Sequence, residues 1–289
     1  MRAFASKFGV NTKKHTQAKL WQRIATLLTA FVVMGSALAQ IAQAAPGDYV
    51  WQKAGTNLSG DQSHWRSIAS SSDGTKLAAV ESEWNGTSFV GSVYTSSDSG
   101  ATWTEQTAAG SRGWYSIASS SDGTKLAAVV WGGSLYTSSD SGATWTERTA
   151  AGSRNWYSIA SSSDGTKLAA IEWGGSVYTL SDSGTIWTER TAAGSRDWYS
   201  IASSSDGSKL AAVVWGGSLY TSSDSGATWT EQTAAGSRSW QSIAISSDGS
   251  KLAAVVQGGS VYTSSDSGAS WSGRTTAGSP VGASIASPS

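Results

Sequence analysis

Hydrophobic and polar residues alternate along this chain in short runs, and turns rich in glycine, serine and aspartate separate the runs. The tripeptide Ser-Ile-Ala recurs with its isoleucine at Ile68, Ile117, Ile159, Ile201, Ile243 and Ile285. The first spacing is 49 residues and each later spacing is 42 residues. A period of about 40 to 45 residues is what four short strands and their turns require, which is one blade of a β-propeller.

Residues 114–154 illustrate the four strands that each unit is predicted to contain. The predicted strands read WYSIAS, KLAAVVW, GSLYTS and ATWTERTA in one-letter code. The segments between them read SSDGT, GG and SDSGA, which are residue types that accept turn geometry. The sequence therefore predicts an all-β fold, a β-propeller of five complete four-stranded blades built from 42-residue repeats.

Three features depart from this regular pattern. In the first unit, residues 81–91 replace the short turn with a longer loop that contains Trp84. Before the first unit, Trp51 stands where a fourth-strand tryptophan is expected, and after the last unit Ile285 stands in a first strand. These extra strands predict either a five-blade ring with loosely attached ends or a ring with a sixth partial blade from the two termini. We favour the first because unpaired edges are unfavourable, and open terminal strands could pair with a second copy in a homo-oligomer.

Two other architectures share parts of this pattern. An array rich in serine, glycine and alanine is also typical of disordered low-complexity chains. The 16 tryptophans argue against disorder, because disordered segments are poor in aromatic residues. A linear β-solenoid remains an alternative, since radial and linear repetition have the same sequence signature.

The chain divides into a predicted export segment, residues 1–45, and the propeller, residues 46–289. Basic residues up to Arg23 precede an uncharged stretch over 24–39, and small residues offer cleavage sites after Ala39 and Ala44. We expect cleavage there and a secreted protein, extracellular or periplasmic, without a membrane span once the signal is removed. A retained anchor is the alternative, although the apolar run is shorter than the ~20 residues that a bilayer needs.

Charge and composition exclude several classes of function. Six of the 20 basic residues and none of the 20 acidic residues lie in the export segment, so the remainder carries 14 basic against 20 acidic groups. This balance is unfavourable for nucleic-acid binding. The absence of cysteine excludes disulfides, thiolate zinc sites and a thiol nucleophile. After residue 45 only His64 is a histidine, so we expect neither a metal site nor a cofactor.

A motif of the form S-x-D-x-G-x-x-W precedes each fourth strand. Its Asp, Gly and Trp are Asp98, Gly100, Trp103; Asp140, Gly142, Trp145; Asp224, Gly226, Trp229; and Asp266, Gly268, Trp271. In the third unit Leu180 replaces the serine ahead of Asp182, Gly184 and Trp187. This motif resembles the Asp-box, or bacterial neuraminidase repeat. We expect its aspartate and serine to bond turn amides, its glycine to supply a positive φ and its tryptophan to pack beneath, which is a structural role.

Propellers with this repeat include sialidases, sortilin-type receptors, some cellulose- and xyloglucan-active hydrolases and the photosystem II assembly factor, so the resemblance implies a fold and no single reaction. A sialidase would need an arginine triad, a tyrosine nucleophile with a glutamate partner, an acid/base aspartate and an R-I-P motif. R-I-P is missing, and the candidates Arg66, Tyr94, Glu81 and Asp61 are scattered. Tyr94 also has an equivalent in each later repeat. Near-identical blades make a poor asymmetric active site, so we predict a non-catalytic protein.

Two sets of repeated residues are the candidate binding face. The tryptophans that end the second strands are Trp131, Trp173 and Trp215, and the arginines of the blade crossings are Arg112, Arg154, Arg196 and Arg238. Exposed tryptophan and arginine suit recognition of a glycan or an exported, cell-envelope protein. The alternative is structural, with indoles covering the seams between blades and arginines capping carbonyls. A secreted binding or scaffold module is the function we favour, with a sialidase-like exo-glycosidase and an assembly factor for an exported complex as alternatives.

Overall fold

The computed structural model describes residues 64–181, 186–274 and 284–285 in full, and the backbone of 39–42 and 50–53. Nearly all regular structure in these residues is β. Strands β1 (Ala39–Ala42) and β2 (Val50–Lys53) form an antiparallel pair, with Ile41 opposite Trp51. The predicted boundary between residues 45 and 46 falls between these two strands, outside the described residues.

Five antiparallel units of four strands follow, and each matches one predicted blade. Blade one comprises β3 (Trp65–Ser70), β4 (Leu77–Glu81), β7 (Val93–Ser96) and β8 (Thr104–Glu105), with a small hairpin of β5 (Glu83–Trp84) and β6 (Phe89–Val90) between β4 and β7. Blade two comprises β9 (Trp114–Ser119), β10 (Leu126–Gly133), β11 (Leu135–Ser138) and β12 (Thr146–Glu147).

The next three blades repeat this order. Blade three comprises β13 (Arg154–Ser161), β14 (Leu168–Gly175), β15 (Val177–Leu180) and β16 (Trp187–Arg190). Blade four comprises β17 (Arg196–Ser203), β18 (Leu210–Val214), β19 (Leu219–Ser222) and β20 (Thr230–Glu231). Blade five comprises β21 (Trp240–Ile245), β22 (Leu252–Val256), β23 (Val261–Ser264) and β24 (Ser272–Arg274). Short 3₁₀ turns link these five blades in succession, at Thr107–Ala109, Thr149–Ala151, Thr191–Ala193 and Thr233–Ala235.

The fourth strands are shorter than the sequence predicts. In blade two the expected strand covered residues 143–150, whereas only Thr146 and Glu147 pair with β11. The residues before them belong to the turn, and the chain enters a 3₁₀ turn at Thr149. The outer edge of each blade is therefore narrow, which limits the unpaired strand edge that faces solvent.

The turn before the fourth strand is held by the side chains that the motif supplies. In blade two, Asp140 Oδ1 accepts hydrogen bonds from the Ser138 hydroxyl (2.8 Å) and the Thr144 amide (2.8 Å). The Ser138 hydroxyl oxygen accepts the Gly142 amide at 2.9 Å, and Gly142 has a φ of +95°. The Trp145 indole then donates to the Gly142 carbonyl at 2.9 Å. This network leaves few turn amides unpaired, as a structural motif should.

The third copy of this turn is only partly described. Leu180 takes the place of the serine and is buried. Asp182 and Gly184 lie outside the described residues. Trp187 is buried at 8% exposure, and its indole nitrogen has no hydrogen-bond partner among the residues that the structure describes. The tryptophan therefore keeps its packing role where the serine is replaced.

The hydrophobic core lies between blades. The indole of Trp156 in blade three packs with Val129 and Leu135 of blade two and with Ala170 of its own blade. The tryptophans that open the first strands are 0% exposed in blades two to five: Trp114, Trp156, Trp198 and Trp240. Each donates its indole N–H to the carbonyl of a crossing glycine, for example Trp114 to Gly110 at 3.2 Å. Small alanines on the second strands allow this close approach of neighbouring sheets.

The first strands of neighbouring blades lie side by side around the propeller axis. At one end of the axis the first turns are joined by backbone hydrogen bonds that run from Ser72 to Ser121, Ser163, Ser205 and Ser247 in succession, at 2.7 to 2.9 Å. The last four of these serines line a pocket of about 110 Å³ together with neighbouring serines and Ile245. The Ser141 amide donates to the Thr124 carbonyl at 2.8 Å, so the motif turn and the first turn share this face.

Replacing Trp145 should destabilise the protein more than replacing Asp140. Trp145 packs on Trp114 at 5.9 Å between ring centroids, whereas Asp140 is exposed and makes turn hydrogen bonds. We expect Trp145→Ala to lower the free energy of unfolding in urea by about 3 kcal/mol. Asp140→Ala should lower it less, because a solvated turn bond contributes little net free energy. Equal or reversed effects would contradict the packing role of Trp145.

Acid should destabilise the propeller over a defined range of pH. Hydrogen bonds from the Thr144 hydroxyl and amide hold the pKa of Asp140 at about 2, and bonds from Ser71 and Thr75 do the same for Asp73. The unfolded pKa is about 3.9, so this stabilisation is complete above about pH 4 and is lost as the pH falls towards 2. Urea midpoints measured from pH 6 to pH 2 should show that loss.

The Asp140→Asn variant tests the origin of the acid effect. It should have a lower midpoint than the wild type at pH 6 and a smaller drop between pH 4 and pH 2, because one lowered carboxyl has been removed. Asp197→Asn is the matched control, since Asp197 is exposed and lies outside these turns. An equal change in the acid transition for both variants would refute the assignment.

Candidate functional site

Six aromatic rings form a continuous row on the face opposite the motif turns, and we call them the aromatic arc: Tyr115, Trp131, Tyr157, Trp173, Tyr199 and Trp215. The tyrosines come from first strands and the tryptophans from the ends of second strands. Successive ring centroids lie 5.5, 6.0, 5.2, 5.9 and 5.1 Å apart. All six side chains are half-buried. The arc therefore combines fixed rings with accessible aromatic surface.

Backbone pairing across the seams fixes two of the three tryptophans. Trp131 at the end of β10 pairs with Asn155 of blade three, and Trp173 at the end of β14 pairs with Asp197 of blade four. These two indoles thus lie over the junction between their own blade and the next, with a tyrosine of each blade beside them. The Trp215 amide donates instead to the Asp197 carbonyl of its own blade at 2.9 Å, and its ring lies beside Tyr199 of the same blade. The placement of Trp131 and Trp173 agrees with the seam-covering interpretation and leaves part of each ring open to solvent.

The three arc tyrosines form a second, inner row. The rings of Tyr115 and Tyr199 lie 4.7 Å from that of Tyr157. Burial raises the pKa of Tyr157 well above its usual range, and hydrogen bonds with Tyr199 and Tyr115 raise it further. The Tyr157 hydroxyl is therefore neutral at physiological pH. It serves as a hydrogen-bond group and presents no anionic nucleophile.

The four crossing arginines are engaged in the fold. Their Nε atoms donate to alanine carbonyls of the preceding 3₁₀ turn, as Arg112 does to Ala109 at 3.1 Å, and the same holds for Arg154, Arg196 and Arg238. Each guanidinium also lies 4.5 to 4.6 Å from the centroid of a third-strand tyrosine ring. Arg154 has an ion pair with Glu172 at 3.5 Å. Their contacts are those of carbonyl caps, and a role in binding stays a prediction.

The hairpin of blade one adds two aromatic side chains that sequence reasoning did not assign to the candidate face. Trp84 is 58% exposed and Phe89 is 38% exposed, and their rings meet edge to face at 5.1 Å. Phe89 contacts Gly113, whose carbonyl accepts the Trp131 amide at 2.9 Å. The hairpin therefore extends the arc at its blade-one end. The longer first spacing located an insertion at residues 81–91, although its contact with blade two was not evident from the sequence.

The scattered sialidase candidates come together only in part. The Tyr94 hydroxyl donates to Glu81 Oε1 at 3.2 Å, and burial raises the pKa of Glu81, with the charges of Glu105 and Glu83 adding to the effect. Tyr94 is 7% exposed and packs in the blade interior. Arg66 lies over the Tyr115 ring instead, at 5.3 Å, and Asp61 is outside the described residues. Val130 takes the position of Glu81 in blade two, where Tyr136 contacts Glu147 of the fourth strand instead.

The described residues contain no group of three or more histidine, cysteine, aspartate or glutamate side chains placed to hold a metal ion. The aspartates of the turns are instead engaged with neighbouring serine and threonine groups. Over the same residues, no helix has the length and apolar character that crossing a membrane would require.

Protein-family models give no match to this chain. No curated protein matches it in sequence. Several solved structures share its fold. YCF48 bound to a D1 peptide superimposes with a TM-score of 0.62 and 16% identity, over 85% of this chain and 78% of that chain. YCF48 from Cyanidioschyzon merolae gives 0.55 and 18%, over 76% of this chain and 72% of that one.

The third structure is an enzyme. The GH74 enzyme of Niastella koreensis gives a TM-score of 0.54 and 19% identity, over 83% of this chain and only 37% of the enzyme. At these identities the likeness concerns the fold alone. Together with the strand order, it confirms the predicted all-β propeller.

Proposed function

We propose that this protein is a non-catalytic binding module that captures a polypeptide segment of an exported protein on its aromatic face. The aromatic face consists of the aromatic arc together with Trp84 and Phe89. The observation that carries the proposal is the continuous row of half-buried arc rings on three blades, together with two exposed rings on the blade-one hairpin, where Phe89 contacts Gly113 of the next blade.

The chemistry of this surface suits a peptide. Tryptophan and tyrosine supply large contact area with few rotatable bonds, so little conformational entropy is lost on binding. The backbone of the seam holds the arc rings in place before a ligand arrives, which lowers the cost of ordering them. The solved YCF48 structure with a D1 peptide supports a polypeptide as the ligand class. The predicted export segment supports an encounter outside the cytoplasm.

The repeat geometry sets the form of the interaction. Three blades present a similar tyrosine and tryptophan pair, whereas Gln257 takes the tryptophan position in blade five. Similar patches bind weakly one at a time and gain affinity when one ligand covers several of them. Among the described blades only blade one carries this hairpin, so the hairpin can fix where one end of the ligand binds. Trp84 and Phe89 thus set the direction of the bound peptide, and the arc supplies the avidity.

Removing the hairpin rings should impair binding and leave the fold intact. Peptides that bind the mature protein can be selected from a displayed peptide library. We expect these peptides to bind the Trp84→Ala and Phe89→Ala variants at least about tenfold more weakly than the wild type. Ile186→Ala is the matched control, because Ile186 is also exposed, at 77%, and lies before the fourth strand of blade three. Thermal midpoints of all three variants should stay near that of the wild type. Unchanged affinity in both hairpin variants would refute the proposal.

Each arc tryptophan should contribute separately to peptide binding. Trp131→Ala, Trp173→Ala and Trp215→Ala should each weaken binding of a selected peptide several-fold, with a cumulative loss in the triple variant. A parallel glycan array tests glycans, the other ligand class. Binding to glycans and to no selected peptide would contradict a polypeptide ligand. Unfolding of all three single variants would mean that the tryptophans serve only the seams.

A further inference from the structure

The tip of the blade-one hairpin places an asparagine directly before a glycine. Asn85 and Gly86 lie in the turn between β5 and β6, and both are exposed. The Asn85 amide donates to the Ser88 carbonyl at 3.1 Å, which closes the turn. The side-chain oxygen of Asn85 accepts the Thr87 and Ser88 amides, at 3.0 and 2.9 Å. The Asn85 side chain therefore lies over its own turn and is accessible to water.

The Gly86 amide nitrogen is available to react with that side chain. Within the part of the chain that the structure describes, no acceptor takes the Gly86 N–H. Gly86 has a φ of +95°, and the space beside its Cα is empty to 4 Å. Because glycine has no Cβ, its backbone can also reach the angles that closing a ring with the preceding side chain requires. The nitrogen is thus unhindered and has no partner to lose.

Two backbone amides are placed to stabilise the transition state of such an attack. When an amide nitrogen adds to the side-chain carbonyl carbon of asparagine, negative charge develops on the side-chain oxygen. In this turn the Thr87 and Ser88 N–H groups already donate to that oxygen. Fixed donors aimed at a developing oxyanion lower the barrier, because they do not have to reorganise during the reaction. The turn therefore supplies the nucleophile, the electrophile and the donors together.

The hairpin that carries this turn is small. Strands β5 and β6 contribute two residues each, and among the described strands they pair only with each other. An isolated two-stranded hairpin is at best marginally stable in water. Local opening of such an element costs little free energy, so the turn can reach the geometry that ring closure needs.

Asn155 has the opposite environment, although it is also exposed. It lies in β13, where its backbone pairs with Trp131 of blade two. The residue after it is Trp156, whose side chain is fully buried. Attack on the Asn155 side chain would have to move the Trp156 amide and with it the indole out of the core. Ring closure is therefore blocked at Asn155.

We infer that Asn85 is a site of intramolecular deamidation, in which the Gly86 nitrogen attacks the Asn85 side chain. The nitrogen loses its proton and bonds to Cγ, the bond from Cγ to Nδ2 breaks, ammonia leaves and a succinimide ring remains. Water then opens the ring at either carbonyl, which gives an aspartyl or an isoaspartyl residue at position 85. No oxidation or reduction is involved. Both products add a negative charge beside Trp84, and the isoaspartyl product also lengthens the backbone.

The conversion alters the aromatic face, a consequence that rests on the proposed function. Trp84 lies opposite Phe89 in the hairpin. The bonds of the turn at position 85 hold this register, and an isoaspartyl residue cannot make all of them because its backbone is longer. We therefore expect the modified hairpin to lose the edge-to-face contact of its two rings and to bind selected peptides more weakly.

Mass spectrometry of the purified protein tests the chemistry without any ligand. During incubation at pH 8 and 37 °C, the tryptic peptide of residues 77–112 should gain the mass that replaces NH₂ by OH, with fragment ions placing the change at Asn85. The tryptic peptide of residues 155–167 is the internal control and should keep its mass. The rate should rise from pH 6 to pH 8, because the attacking nitrogen must lose its proton. An unchanged Asn85 under conditions in which a synthetic peptide of residues 83–90 reacts would overturn the inference.

Two further measurements test the route and its consequence. Isoaspartyl product should accompany the aspartyl product, since direct hydrolysis by water cannot form it. The Gly86→Ala variant should convert at least about tenfold more slowly, because its methyl group crowds the attacking nitrogen. Aspartyl product alone, or an equal rate in a folded Gly86→Ala variant, would refute the intramolecular route. Converted protein that binds selected peptides as well as fresh protein would refute the effect on the aromatic face, whereas the mass change does not depend on peptide binding.

Discussion

Burial of the two apolar faces of each blade against neighbouring blades is the constraint on which this structure depends. A single small sheet of this kind is at best marginally stable in water, so each blade depends on the next. Trp114 illustrates the arrangement, since its indole is fully buried between blades one and two and its N–H is satisfied by the Gly110 carbonyl. The same contact must form at every seam, which accounts for near-identical repeats with small alanines on one strand and tryptophan on the next.

The seam also determines which residues remain for recognition. Residues that repeat in phase are engaged in holding blades together, as the crossing arginines are through carbonyl and tyrosine contacts. Trp131 and Trp173 contribute to both, because pairing across the seam fixes their backbones while part of each indole stays exposed. The blade-one hairpin breaks the repeat and gives an otherwise regular array of blades a direction.

Much of the fold could be predicted because local residue types determine where the strands and turns lie. The first strands and the turns were evident from alternation and from glycine, serine and aspartate, and the first strand of blade two spans the predicted residues. The fourth strands were predicted too long, since propensity does not reveal that the chain leaves the sheet at Thr149. The site was harder to predict. Spacing showed an insertion near Trp84, whereas contact between Phe89 and Gly113 depends on the packing of two blades.

The central claim, that the aromatic face is the binding surface, is tested most directly by a crystal structure of the mature protein with a peptide selected for binding. The account predicts peptide density across Trp84, Phe89 and Trp131, with the chain continuing over the seam towards Trp173. Density confined to the serine-lined pocket or the aspartate turns on the opposite face would contradict it.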